Sequence, residues 1–309
     1  MAALTPRAVF VTRETDYELL IARHATRGQA RFFLESRGQG LAAVEARHER
    51  FHAALARARA AVPGEWRQAQ VRRTDLDRFL FGPDDVVVAV GQDGLIANVA
   101  KYLGAQPVIG VNPAPDLYDG VLVRNPVERL SRLLPASVAG DVAVERRTMV
   151  EAVIDGTERL FALNEIFVGH RSHQSARYRI EAGQEGKEEG KEAGAEAGEE
   201  QSSSGLIVAS GTGATGWARS IREATGLDLS LAPDERAVGY WVREPFPSVT
   251  TATRLRAGKI TDTPLHVTSR MNEGGVVFAD GIEQDFLGFG WGRQVRIAPA
   301  ERALHLVTG

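Results

Sequence analysis

Residues 86–112 read VVVAVGQDGLIANVAKYLGAQPVIGVN. The opening run of small, β-branched aliphatics, closed by a turn signal, predicts a strand buried on both faces, as parallel sheets require. Gly91-Gln92-Asp93-Gly94 follows, then an apolar helical stretch over residues 96–103, then a second strand, PVIGV. Glycines let the backbone turn sharply and approach a ligand closely. Asp93 therefore falls between the carboxyl end of a strand and the amino end of a helix, where open α/β sheets bind ligands and backbone N–H groups favour phosphate. A carboxylate is out of place beside phosphate unless a metal or a proton-transfer task explains it, which makes Asp93 a candidate base. The alternative is an Asp that caps the helix.

Outward from this unit, AVFVT (residues 8–12) reads as another strand and residues 41–61 as an Ala-rich helix. The alternation predicts a doubly wound, Rossmann-like α/β domain over residues 1–123. Beyond 123 the texture changes to short runs of strand-like sequence, including LFALNEIFVG, ARYRIEA, GLIVAS, AVGYWV and GGVVFADG. These predict a β-rich, mostly antiparallel second domain over 124–289, with one clear helix at 217–225 and a tail, 290–309, returning to the first domain.

The chain of 309 residues is long enough for two cores and has the apolar and charged fractions of an ordinary globular protein. It has no Cys, which excludes disulfides, thiolate metal sites and a Cys nucleophile and suits a reducing compartment. Its start lacks the pattern of a secretory signal and no apolar run approaches a membrane span, so a cytoplasmic location is expected. Residues 181–201 carry eight Glu and two Lys; the rest of the chain is therefore mildly basic, at +3 against an overall −3. That balance is compatible with a phosphate-bearing ligand and far short of nucleic-acid binding. Residues 181–204 read as a disordered acidic insert between two strands.

Three further patterns bear on chemistry. Residues 211–216, GTGATG, match the dinucleotide fingerprint G-x-G-x-x-G between a strand and a helix, although no acidic residue ends the next strand. Asn164-Glu165 lies inside an apolar strand read as 160–168, where adjacent polar side chains point to opposite faces and at least one needs a partner or a ligand. His48-Glu49-Arg50-Phe51-His52 spells H-E-x-x-H, but with arginines beside it and no third ligand in view it reads as a chance match on a solvated helix, and no metal ligands are assigned. Asp280-Gly281 reads as a hairpin turn.

In order, Gly91-Gln92-Asp93-Gly94, Gly110-Val111-Asn112, Leu163-Asn164-Glu165, the stretch SSSGLIVASGTGATGWARS (202–220) and Asp280-Gly281 resemble the NAD kinase family. VFVTRETDYE (9–18) and VREPF (242–246) add to the likeness, which runs over most of the chain and is greatest to the mitochondrial-type branch. The resemblance implies an enzyme that transfers a phosphoryl group from ATP or polyphosphate, with Mg²⁺, to the adenosine 2′-hydroxyl of NAD, giving NADP. It implies Asp93 as the base, with Gly91, Gly94, Asn112, Asn164, Glu165, Thr212, Gly213, Thr215, Trp217 and Asp280 around the dinucleotide. It also implies a homo-oligomer. The departures are Gln92 for the usual second glycine, Leu95 for a Thr, and SGTGATGW where TPTGSTAY is common. Gln92 and Leu95 motivate one alternative, a non-catalytic NAD-binding protein on the same fold; a second is a kinase for a lipid or sugar hydroxyl, since related kinases share the glycine–aspartate loop. An NAD-dependent oxidoreductase is least favoured, because no acid–base pair can be placed at a nicotinamide.

Overall fold

In the computed structural model, which describes residues 5–117, 119–183 and 198–309, the chain divides into two compact units. The first comprises residues up to Glu145 plus His305–Gly309. Its elements are β1 (Arg7–Thr12), α1 (Asp16–His24), α2 (Arg27–Glu35), α3 (Leu41–Ala60), β2 (Arg67–Arg72), β3 (Asp85–Val90), α4 (Asp93–Ala100), β4 (Pro107–Val111) and α5 (Leu130–Ala139). The sheet order is β2-β1-β3-β4, parallel throughout, extended by the final residues of the chain, where His305 and Leu306 pair in parallel with Pro107 and Val108.

Every residue of β3 is buried, as the run VVVAV predicts. Strand alternation splits the sheet's side chains between two faces. Phe10, Val86, Val88, Val90 and Ile109 pack with Leu55 and Ala58 of α3 and with Leu130, Leu133 and Leu134 of α5. The alternate residues, such as Val9, Val87 and Ala89, are equally buried, and α4 packs against β1, β3 and β4. This is a doubly wound α/β unit.

The expected boundary at 123 moves to 145 because α5 seals one face of this sheet; Pro135 inside that helix obscures it in the sequence. Of the tail, only residues 305–309 belong here, tied by Thr308 N–H to the Ala143 carbonyl. Helix α4 starts at Asp93, three residues before the expected 96, and sequence reading does not find α1, α2 or β2.

The second unit spans Arg146–Leu304. Its strands are β5 (Val144–Ile154), β6 (Glu158–Ala162), β7 (Glu165–His170), β8 (Ala176–Glu181), β9 (Glu199–Ser203), β10 (Leu206–Ser210), β11 (Val238–Val242), β12 (Ala257–Ile260), β13 (Leu265–Ser269), β14 (Gly275–Ala279), β15 (Leu287–Gly288) and β16 (Gln294–Val307), with α6 (Trp217–Thr225) after β10. One antiparallel sheet runs β12-β11-β10-β7-β14-β15. The other pairs β9, β8, β13 and the first half of β16, with β5 and β6 beside it. Their facing sides share one core, from Val150, Ile154 and Tyr178 to Val208, Tyr240 and Val277. Helix α6 covers the outer face of the first sheet through Ala218 and Ile221, against Phe167, Ile207 and Trp241.

Two expectations need correction here. The strand read as 160–168 is two strands in different sheets, broken at Leu163-Asn164, because Asp280 and Ser210 capture the backbone at that point. The insert read as disordered over 181–204 includes described strand: Glu199–Ser203 pairs with β8, and Glu199 is buried, held by Gln201, Arg254 and the Leu255 N–H. Residues 184–197 lie outside the described residues.

Candidate functional site

In the first unit the strand order places a topological switch between β1 and β3, and ligands in open α/β sheets sit outside the carboxyl ends of strands at such a point. A cavity of about 100 Å³ lies there, lined by Arg13, Glu14, Thr15 and Asp16 after β1, Gly91 and Gln92 after β3, and Pro113 and Ala114 after β4; Val44, Arg47, His48 and Phe51 of α3 complete it. Asn112 closes the end of β4 with an Asx turn, its Oδ1 accepting from the Ala114 N–H at 2.9 Å.

Asp93 is the first residue of α4 but does not cap it. Its Oδ1 accepts from the N–H groups of Leu122 (2.8 Å) and Val123 (2.9 Å), and its Oδ2 from Val121 N–H (2.9 Å). The carboxylate thus pins the loop that crosses β4, and Gly110 makes room for it: a Cβ there would stand 2.2 Å from the Leu122 carbonyl oxygen. A carboxylate has about four lone-pair positions, so one remains for a ligand hydroxyl. Its negative charge in the first turn also suits the helix dipole. Gly94 is exposed, and a Cβ on it would meet no described residue. Sequence reasoning missed the 121–123 partner because it is nearly thirty residues downstream and contributes only backbone.

In the second unit a separate cluster forms around Ser210, the last residue of β10. Its hydroxyl donates to the Leu163 carbonyl (2.5 Å) and accepts from Thr212 N–H (3.1 Å) and Gly213 N–H (3.2 Å), using its one proton and both lone pairs. Ser210 N–H donates to the Asn164 carbonyl. Asp280, at a positive φ of 51°, turns the chain after β14 and accepts from Leu163 N–H (3.1 Å) and Asn164 N–H (2.7 Å). Asn164, Glu165, Thr212, Gly213 and Asp280 are therefore brought together. The signal that could have found Ser210 is a Ser directly ahead of a glycine loop, a common local turn former.

The GTGATG loop lies between strand β10 and helix α6, as expected. Strand β10 is antiparallel to both its neighbours, so no parallel βαβ unit stands behind the fingerprint. Its first two glycines serve backbone packing: a Cβ at Gly211 would lie 2.1 Å from the Ala232 carbonyl oxygen, and one at Gly213 2.1 Å from that of Asn164. Buried Arg147 donates to Thr212 Oγ1 (3.2 Å), while exposed Thr215 donates to the Thr212 carbonyl. Trp217 stacks on Phe167 at 5.9 Å, with Arg243 5.1 Å above its ring. Burial, reinforced by the Asp280 carboxylate, pushes the Glu165 carboxyl up to about 7, so it is close to half-protonated at neutral pH.

The H-E-x-x-H pair of α3 also has company that sequence reading denied it. Glu18 of α1 lies beside both histidines, with one ligand-capable atom of each residue within 4.8 Å of those of the others. Among the described residues no helix is long and apolar enough to cross a membrane.

No protein-family model matches this chain. An NAD kinase of Heliobacterium modesticaldum is 34% identical over 143 residues, covering 44% of this chain and 46% of that protein. One of Wolinella succinogenes is 27% identical over 242 residues, covering 74% and 72%. The chain thus spans less than half the length of the first relative. Among solved structures, yeast NADH kinase complexed with NADH matches with a TM-score of 0.56 at 13% identity, over 99% of this chain and 84% of that one. An NAD kinase from Archaeoglobus fulgidus in complex with ATP matches with 0.56 at 20% identity, over 98% and 93%. The likeness is one of fold, and it covers both units.

Proposed function

We propose that this chain is an NAD kinase, transferring the terminal phosphoryl group of ATP or polyphosphate to the adenosine 2′-hydroxyl of NAD. The observation that carries the reading is Asp93: a carboxylate locked by three backbone donors beside a switch-point cavity, with one acceptor position left. The ordered motifs, the relatives named NAD kinase and the shared fold support it.

In this mechanism Asp93 accepts the hydrogen bond of the substrate hydroxyl and holds it in line for attack. Phosphoryl transfer asks little covalent chemistry of a protein, so positioning and charge neutralisation carry most of the rate. Arg13 and Arg47 line the cavity and would face the donor's phosphates. The oxygen donors present fit Mg²⁺, which needs only one or two carboxylates besides phosphate and water: Glu14 and Asp16 line the cavity and would hold it. When bound, Mg²⁺ neutralises the donor phosphates. In the second unit Asn164, Glu165 and the 212–217 loop are assigned to the dinucleotide, and Trp217 with Gly-Thr-Gly supports the mitochondrial-type branch. Residence in the cytoplasm and assembly as a homo-oligomer complete the reading.

The test is NADP formation by purified protein across ATP, GTP and polyphosphate with Mg²⁺. Asp93→Asn is expected to lower kcat by orders of magnitude with little change in NAD affinity. Equal loss in both overturns the base role. Binding of NAD by calorimetry with no NADP made from any donor favours the non-catalytic alternative, which Gln92 and Leu95 motivate.

A further inference from the structure

We propose that Glu18, His48 and His52 form a three-ligand site for a divalent transition-metal ion of the zinc class, at the wall of the switch-point cavity. His48 and His52 sit at i and i+4 of α3, so their rings share one helix face, 4.3 Å apart. Glu18 comes from α1, whose N-terminus fixes it. Thr15 and Glu18 form a capping box: Glu18 Oε2 accepts from Thr15 N–H at 2.7 Å and from the Thr15 hydroxyl at 3.0 Å.

That hydroxyl has one proton, and Glu18 takes it. The contact between Thr15 Oγ1 and His48 Nδ1, at 2.8 Å, must then have the imidazole as donor. His48 is thereby held with Nδ1 protonated and the Nε2 lone pair free, the orientation that a hydrogen-bonded outer partner imposes on metal-binding histidines. Glu18 Oε1 is left as the free carboxylate oxygen, and it stands 3.4 Å from His52 Nε2. Burial pushes the Glu18 carboxyl up, but the Thr15 hydrogen bonds and the two imidazoles outweigh it and hold it below its ordinary value.

The spacing suits a metal. Donors at about 2.1 Å from a tetrahedral ion lie about 3.4 Å apart. Glu18 and His52 are already at that separation, and one ring nitrogen of His48 lies within 4.8 Å of a ligand atom of each, so closure asks for a turn of the His48 side chain. Two imidazoles and one carboxylate select Zn²⁺, Co²⁺, Ni²⁺ or Cu²⁺ over Mg²⁺ and Ca²⁺, which prefer all-oxygen shells. Three protein ligands leave a fourth position open. Thr15 and His48 also line the switch-point cavity, which gives the ion an entry path. As a plain exposed ion pair, Glu18–His52 would contribute little and would not require the His48 tautomer.

Co²⁺ is the probe, added to protein free of any polyhistidine tag, with Zn²⁺ binding measured by competition. The chain has no Cys, so thiolates cannot contribute to visible ligand-field bands. One Co²⁺ per chain is expected, displaced by Zn²⁺, with a zinc-dependent rise in Tm. His52→Ala, at an exposed position that keeps the fold by circular dichroism, should lose at least tenfold in affinity, and the His48→Ala/His52→Ala pair should bind none. Thr15→Val should weaken binding by about 10–100-fold, and Thr15→Ser should restore it. Absence of stoichiometric Co²⁺ binding, or wild-type affinity in the double variant, overturns the site. Either result leaves the kinase assay untouched.

Discussion

At the scale of single residues, three polar groups are placed so that each does work no neighbour can replace. Asp93 accepts three backbone N–H bonds, so an amide at that position turns one acceptor into a donor facing a donor. Asp93→Asn should therefore also cost on the order of 1–3 kcal/mol of stability, read from denaturant melts, and its kinetics belong below the melting range. Ser210→Ala leaves Thr212 and Gly213 N–H without their acceptor and should cost a similar amount, with loss of NAD affinity following from a loosened loop. Glu165 binds its proton more tightly in the folded chain than in the unfolded one. The stability it contributes is complete below its ordinary value of 4.5 and is lost as pH rises towards about 7. Glu165→Gln should raise stability at pH 8 by about 1–3 kcal/mol and converge with the wild type near pH 4.5. A Tm difference independent of pH would contradict this.

At the scale of elements, glycines separate the needs of the fold from those of a ligand. Gly110 is demanded by the fold, since any Cβ collides with the backbone of 122–123. Gly110→Ala should displace that segment, loosen its bonds to Asp93 and lower stability and activity together. Gly94, in the first turn of α4, is under no such demand from the described residues. Ala there should stabilise the helix by up to about 1 kcal/mol. If a donor phosphate approaches that backbone, the same change should reduce kcat/KM, and a stabilised, fully active variant would remove the glycine from the site. Sequence reading found neither the capping box at Thr15–Glu18 nor its histidine partners, which helix pairing brings together.

At the scale of the whole molecule, acidic charge is concentrated in one short stretch of the sequence. Residues 184–197 carry a net −3, equal to the formal charge of the entire chain. Replacing them with a short Gly/Ser turn should leave Tm unchanged, since β8 and β9 pair through residues 176–181 and 199–203, and should weaken retention on an anion exchanger. Retention of the wild-type elution position would argue that other charges govern the surface. The period-2 and period-3.6 patterns, the all-aliphatic β3 and the glycine–aspartate turn were local properties, so the chain by itself determined a parallel α/β unit followed by antiparallel strands, and nominated Asp93. Local pattern does not specify which backbone a side chain reaches. Only the tertiary structure decided that Asp93 holds 121–123, that the strand over 160–168 breaks between two sheets, and that Glu18 meets His48 and His52. Each is a contact between residues distant in sequence, and such contacts follow from packing and hydrogen-bond satisfaction across the fold.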